Sequence, residues 1–163
     1  MSTSQRLADL GIKLPPVATP IGSYVPAVRV GDLVFTAGQL PFVDGKLIST
    51  GRVDVATDTH EADPDCPTLE LATECARVCV LNALAAAASA VGGVDNIASV
   101  IKLRVFVASS KRFMGQAKVA DGASQVLADV FGDTGRHARA AVGVAALPMG
   151  ATVEVELIVQ AAA

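Results

Sequence analysis

The rhythm of apolar and polar positions divides the chain into elements. Ser2 to Leu10 predicts a short helix, with Ser2 or Ser4 near its start and Gly11 as its stop. Lys13 to Pro20 contains three prolines and predicts an extended linker. Val25 to Val30 and Leu33 to Ala37 predict two strands joined at Gly31 and Asp32, a hairpin signal. Val43 to Lys46 predicts another turn, and Leu47 with Ile48 a short strand. The polar, Asp- and Thr-rich stretch from Ser49 to Pro67 predicts a loop. A long helix is expected from Pro67 to the stop at Gly92 and Gly93, with Asp65 complementing its positive end. Glu70, Glu74 and Arg77 give its first half a wet face. No charge follows until Asp95, so its second half should be covered on every side.

Ser99 to Val107 predicts a strand in which Lys102 and Arg104 alternate with Ile101, Leu103 and Val105. Gly115 to Phe131 predicts a second long helix, with Val119, Ala123, Val126, Leu127, Val130 and Phe131 as its apolar stripe and Gly132 as its C-cap. Arg136 to Leu147 predicts a strand, Pro148 to Gly150 a turn, and Ala151 to Gln160 the last strand. The order is β-β-α-β-α-β-β. It predicts an α+β fold, one sheet with two helices on one face. A length of 163 residues fits one domain over 1–163, with residues 1–19 as an N-terminal helix and extended linker.

Composition sharpens this picture. Hydrophobic types make up 52% and charged types 18%, below the usual quarter for soluble domains. The excess consists largely of small residues: 29 are Ala, with five Phe, one Tyr and no Trp. A net charge of -3, no basic run and few aromatics argue against nucleic acid as a partner. The longest uncharged stretch, Val78 to Val94, is shorter than the ~20 residues of a spanning helix, so no membrane association is expected. The N-terminus lacks the apolar core of a signal peptide, so the expected compartment is the cytoplasm. Cys66, Cys75 and Cys79 are then reduced thiols, with Cys75 and Cys79 buried on one helix face.

The candidate chemistry lies near the end of the chain. Strand alternation puts His137, Arg139, Ala141, Gly143 and Ala145 on one face. A guanidinium above Ala141 and Gly143 has room to grip one carboxylate with two parallel hydrogen bonds. An ordinary surface arginine paired with a glutamate on the next strand is the bland alternative. Glu154 and Glu156 also share a face. They are either a solvated pair, or one of them places a water or shuttles a proton. His60, Glu61, Asp63, Asp65 and Cys66 are metal-binding types, but their spacing fits no zinc or calcium pattern, and a polar loop is expected. No metal and no cofactor is called for. Neither His60 nor His137 has an evident nucleophile motif beside it.

Three segments together resemble the RidA family, also called YjgF or L-PSP. The first is Pro20 to Val25 (PIGSYV) followed by Leu33 to Pro41 (LVFTAGQLP). The second is Ile101 to Val107 (IKLRVFV) with Phe113 after it. The third is His137 to Arg139, then Leu147 and Pro148, then Val153 to Glu156 (VEVE). The resemblance implies a chorismate-mutase-like fold and a homotrimer with a cleft at each subunit interface. The implied activity is hydrolysis of enamines and imines of amino acids to 2-keto acids and ammonia, without metal or cofactor.

In that register Arg139 binds the substrate carboxylate and Glu154 helps to place the attacking water. Tyr24 closes the cleft and the Gly38 backbone faces the ligand. Ala37 stands where the deaminases often have Ser, and Ala141 where they often have Cys. The stretch from Phe113 to Phe131 is longer than usual, and the family's pocket asparagine has no evident counterpart. Two functions follow: an enamine/imine deaminase acting on small 2-imino acids, or a non-catalytic module that binds a small carboxylate metabolite in the same cleft. The ribonuclease activity sometimes attached to the family finds no basic RNA track here.

Overall fold

The computed structural model describes residues 2–20, 22–54 and 66–162. His60, Glu61, Asp63 and Asp65 lie outside the described residues, as does most of the loop expected between Ser49 and Pro67.

The long apolar run forms helix α2, Leu69–Val91. Its N-cap is Thr68, whose hydroxyl accepts the Leu71 amide, so Pro67 precedes the cap rather than opening the first turn. Gly92 ends it in the left-handed conformation at φ 79°. By length and composition α2 could cross a membrane, more than the uncharged stretch alone implied. Within this fold every residue from Asn82 to Ala88 is buried. The second helix is α3, Gln116–Phe131. The expected stripe of Val119, Ala123, Val126, Leu127, Val130 and Phe131 is buried there. A short helix, α1 (Thr3–Asp9), is fixed where the Ser4 amide and hydroxyl donate to Asp95 at 2.7 and 2.6 Å.

The strands are β1 (Ala27–Val30), β2 (Leu33–Thr36), β3 (Phe42–Val43), β4 (Lys46–Leu47), β5 (Ile97–Ala108), β6 (Ala138–Val144) and β7 (Val153–Ala161). Five form one mixed sheet in the order β1-β2-β7-β5-β6; β3 and β4 form a separate hairpin. The β3–β4 turn has Asp44 at φ 49° and Gly45 at φ 76°, the two positive angles of a type I′ hairpin. β6 runs parallel to β5 at the sheet edge, because α3 returns the chain to the same end of the sheet.

Both long helices cover one face. On β7, Val153, Val155, Leu157, Val159 and Ala161 point into the core while Glu154, Glu156, Ile158 and Gln160 point away. On β5 the core positions are Ile97, Val100, Leu103, Val105 and Val107. Register shifts between Ile97 and Ser99 and between Val100 and Lys102 break the alternation. This corrects the expected grouping of Ile101 with Leu103 and Val105: the shift turns Ile101 out, 40% exposed.

Among the described residues, no element packs across the opposite face of the sheet. That face presents Val28, Val30, Phe35, Ile101 and Val142, all at least 40% exposed, together with Lys102, Arg104, Glu154 and Glu156.

Candidate functional site

The candidate residues fall into two half-sites on the two faces of the sheet. In the β5–β6 register Arg139 stands opposite Leu103, which is fully buried beneath the helices. Its side chain therefore leaves β6 on the helix-covered face, at the open margin beside α3. Arg139 Nη1 donates to Asp121 Oδ1 at 2.7 Å and to Ser124 Oγ at 3.1 Å. The partner is thus an aspartate on α3, not a glutamate on the next strand. Ser124 Oγ also lies 3.1 Å from His137 Nε2, and His137 Nδ1 lies 2.6 Å from the Gly135 carbonyl. A carbonyl only accepts, so Nδ1 donates to it, and Nε2 is left to share a hydrogen bond with the Ser124 hydroxyl. Asp121, Arg139, Ser124 and His137 form one hydrogen-bonded chain.

Ala141 lies on the same face as Arg139 and packs against the core, leaving the guanidinium as the polar group above it. Gly143 follows. A Cβ there would come within 2.7 Å of Ser109 Oγ and 2.9 Å of Gln116 Nε2, so a larger residue would displace the ends of both side chains. Both Arg139 hydrogen bonds go through Nη1. Among the described residues, nothing pairs with Nη2 and Nε, the edge of the fork suited to a carboxylate.

The second half-site is on the other face. Glu154 stands opposite Phe106 in the β5–β7 register, and Phe106 stands opposite Val142. The Glu154 carboxylate lies against the Gly38 backbone: Oε1 sits 1.7 Å from where a Cβ would be. Gly38 is glycine because that carboxylate occupies the space. The backbone here is clamped from both sides. Gln39 and Val155 exchange hydrogen bonds of 2.8 and 3.0 Å, and the Ala37 amide donates to the Pro26 carbonyl at 2.8 Å. Asn82 Nδ2 on α2 donates to the carbonyls of Leu40 and Phe42 at 2.9 and 3.2 Å. Tyr24, 53% exposed, and Gly38 line a cleft with Pro26, Gln39, Leu40 and Phe42. It encloses about 50 Å³, room for water but not for an amino-acid-sized ligand.

The two glutamates have different roles. Glu156 pairs with Arg104 at 3.2 Å across the strands. Among the described residues Glu154 has no cation and no hydrogen-bond donor; burial, then the Glu156 charge, raises its carboxyl above the ordinary glutamate range. Cys75 and Cys79 are buried in the core, and burial pushes the Cys75 thiol up to about 11 and Cys79 well up. They are structural, as expected. Cys66 donates to the Arg52 carbonyl at 3.2 Å. No cluster of three metal-binding side chains occurs among the described residues.

Register thus separates Arg139 from Glu154 within one chain; Gly38, next to Ala37 in the chain, lies against Glu154 and shares a cleft with Tyr24, and Ala141 stays with Arg139. Asp121, Ser124 and Asn82 were missed as site residues in the sequence. Their only signal was polarity at positions beside apolar helix stripes.

Comparison with known proteins completes the description. A family model described as "YjgF/chorismate mutase-like, putative endoribonuclease" matches residues 4–161. Protein TCP17 of Trypanosoma cruzi is 41% identical over 155 residues, 94% of this chain and 91% of the relative. The RutC family protein PH0854 of Pyrococcus horikoshii is 30% identical over 139 residues, 85% and 87% of the two chains. Among solved structures, the protein Atu1372 of Agrobacterium tumefaciens is similar at 41% identity and a TM-score of 0.81, covering 98% of this chain and 92% of that one. E. coli TdcF with bound serine is similar at 25% identity and a TM-score of 0.58, covering 90% and 93%. The mixed sheet, the two covering helices and matches over nearly the whole length agree: the chain belongs to the YjgF family, also known as RidA, RutC or L-PSP, and has its chorismate-mutase-like α+β fold.

Proposed function

We propose that the protein hydrolyses small 2-imino acids, or their enamine tautomers, to 2-keto acids and ammonia in clefts between copies of the chain in a homotrimer. The observation that supports this reading is the pair of unfinished half-sites: among the described residues, a guanidinium with a free edge on one face, and a half-buried carboxylate without a cation on the other. One sheet cannot turn both toward the same ligand. A cyclic assembly, in which one face of each chain meets the margin of the next, can. The exposed Val28, Val30, Phe35, Ile101 and Val142 are the kind of apolar surface that such an interface buries.

In this site Arg139 holds the substrate carboxylate through Nη2 and Nε. The imine carbon is already electrophilic, so the protein chiefly orients it and a water. Glu154 accepts one proton as the water oxygen bonds to that carbon, then gives it to nitrogen. The C–N bond breaks and nitrogen leaves as ammonia while the new hydroxyl passes its remaining proton to Glu154, so the C=O bond forms and the keto acid remains. Burial, then the Glu156 charge, raises the Glu154 carboxyl above the ordinary glutamate range, so it holds a transferred proton more readily than an exposed carboxylate would, which suits it to take up and give back a proton. The reading keeps the protein cytoplasmic and without metal, cofactor, nucleic acid or membrane partner. Serine bound to the relative TdcF supports a small metabolite as ligand.

The second reading is a non-catalytic module for a small carboxylate metabolite. It is favoured by the absence of a hydroxyl at Ala37 and of a thiol at Ala141. One experiment separates the two. Imines generated by an amino-acid oxidase are trapped with semicarbazide in competition with the protein. A deaminase lowers trapping and Arg139→Ala restores it. A binding module leaves trapping unchanged yet is stabilised by short keto acids.

A further inference from the structure

Arg139 is oriented twice over. The chain from the Gly135 carbonyl through His137 and Ser124 already fixes Nη1, at 2.6, 3.1 and 3.1 Å. Asp121 then places a full negative charge 2.7 Å from the same nitrogen. Its side chain is 65% exposed, where an ion pair adds little to stability. The consequence that survives exposure is electrostatic. A lone guanidinium attracts any carboxylate, whereas a neutralised one attracts a simple anion less strongly. Asp121 Oδ1 takes the guanidinium, and among the described residues Oδ2 has no donor.

We infer that Asp121 selects the charge of the ligand at Arg139, favouring a molecule with a carboxylate next to a cationic nitrogen over a plain carboxylate. This rests on the proposed site, in which Arg139 holds the substrate carboxylate. In a protonated 2-imino acid the nitrogen and the carboxylate are attached to neighbouring carbons. A carboxylate on Nη2 and Nε then leaves the nitrogen close to the Asp121 carboxylate. The keto acid product has the carboxylate without the cation, so the pair holds substrate more tightly than product and hastens release.

The test is calorimetric titration of the full-length protein with L-alanine, a zwitterion, and with pyruvate, the anion on the same carbon skeleton. Wild type is expected to bind alanine more tightly than pyruvate. Asp121→Asn should tighten pyruvate, weaken alanine, and shift their ratio by about tenfold. Asp121→Ser should shift it in the same direction, which excludes a misfolded asparagine variant as the cause. Arg139→Ala should lose both ligands. Variants at Asp121 that leave the ratio unchanged, while Arg139→Ala abolishes binding, overturn the selection by Asp121 and leave the site standing. Binding that persists in Arg139→Ala, or wild type that binds neither ligand, overturns the site reading and this inference with it.

Discussion

The two faces of the sheet use the same alternation of side chains and reach opposite states. On the covered face every core position of β7 and β5 finds a partner within the chain, and the polar groups at its margin are linked from Asp121 through to Gly135. On the other face Glu154 has no cation among the described residues, the cleft beside Tyr24 is small, and five large apolar side chains are exposed. In the proposed function the completed face would supply rigidity, and the incomplete one a place for another copy and a ligand. The difference between the faces would let a small α+β domain hold its proposed site residues rigid without closing the site itself.

The largest effect is expected at the guanidinium. Arg139→Ala should reduce imine turnover about a hundredfold, from the ~3 kcal/mol that loss of a hydrogen-bonded charge contact costs. Steady-state kinetics should place the loss mainly in kcat/KM. On the other face, Val142→Asp should break the assembly, because it introduces a carboxylate opposite Phe106 in the exposed apolar patch. Light scattering should then report monomers, with turnover lost but the circular dichroism of wild type retained. Monomers that still turn over imine would make the open face irrelevant to the site.

Two glycines compare the faces directly. A Cβ at Gly122 would lie 2.2 Å from the Thr73 carbonyl oxygen, where α3 crosses α2 backbone to backbone. Gly122→Ala should cost about 3 kcal/mol and lower Tm by about 10 °C, since neither helix can yield without repacking. A Cβ at Gly38 meets the Glu154 side chain, from its carboxylate back to Cγ, and no backbone is among its nearest atoms. Gly38→Ala should therefore cost less than about 1 kcal/mol in stability while displacing the carboxylate and abolishing turnover. Equal stability losses in both variants would remove the distinction between a rigid face and an adaptable one.

The smallest effect concerns pH. Glu154 has a raised carboxyl pKa in the folded protein, so the native state binds its proton more tightly than the unfolded chain. Its contribution therefore weakens stability as pH rises from the ordinary carboxylate range through the raised value. Glu154→Gln should unfold at a slightly higher temperature than wild type at neutral pH, with the gap closing on acidification. A gap that widens on acidification would contradict the assignment.

Much of the fold was legible because its signals are local. The stripe of α3, the capping glycines and the alternation of β7 each need only a few neighbouring residues to be read. What escaped was non-local. The register shift that turns Ile101 out is set by pairing with β7, and the parallel placement of β6 depends on the path of α3. The site followed the same rule. The shared face of Arg139 and Ala141 is a consequence of strand spacing, and so is that of Glu154 and Glu156. That Arg139 meets Asp121, or that Glu156 takes Arg104 and leaves Glu154 alone, depends on which strands and helices become neighbours.

The central claim is that Arg139 and Glu154 act together only across a boundary between chains. Mixing separately inactive Arg139→Ala and Glu154→Gln proteins, then refolding them together, tests it most directly. If each site takes its arginine from one chain and its glutamate from the next, random reassembly in equal amounts restores about a quarter of wild-type turnover. A mixture as inactive as its two components would contradict the account.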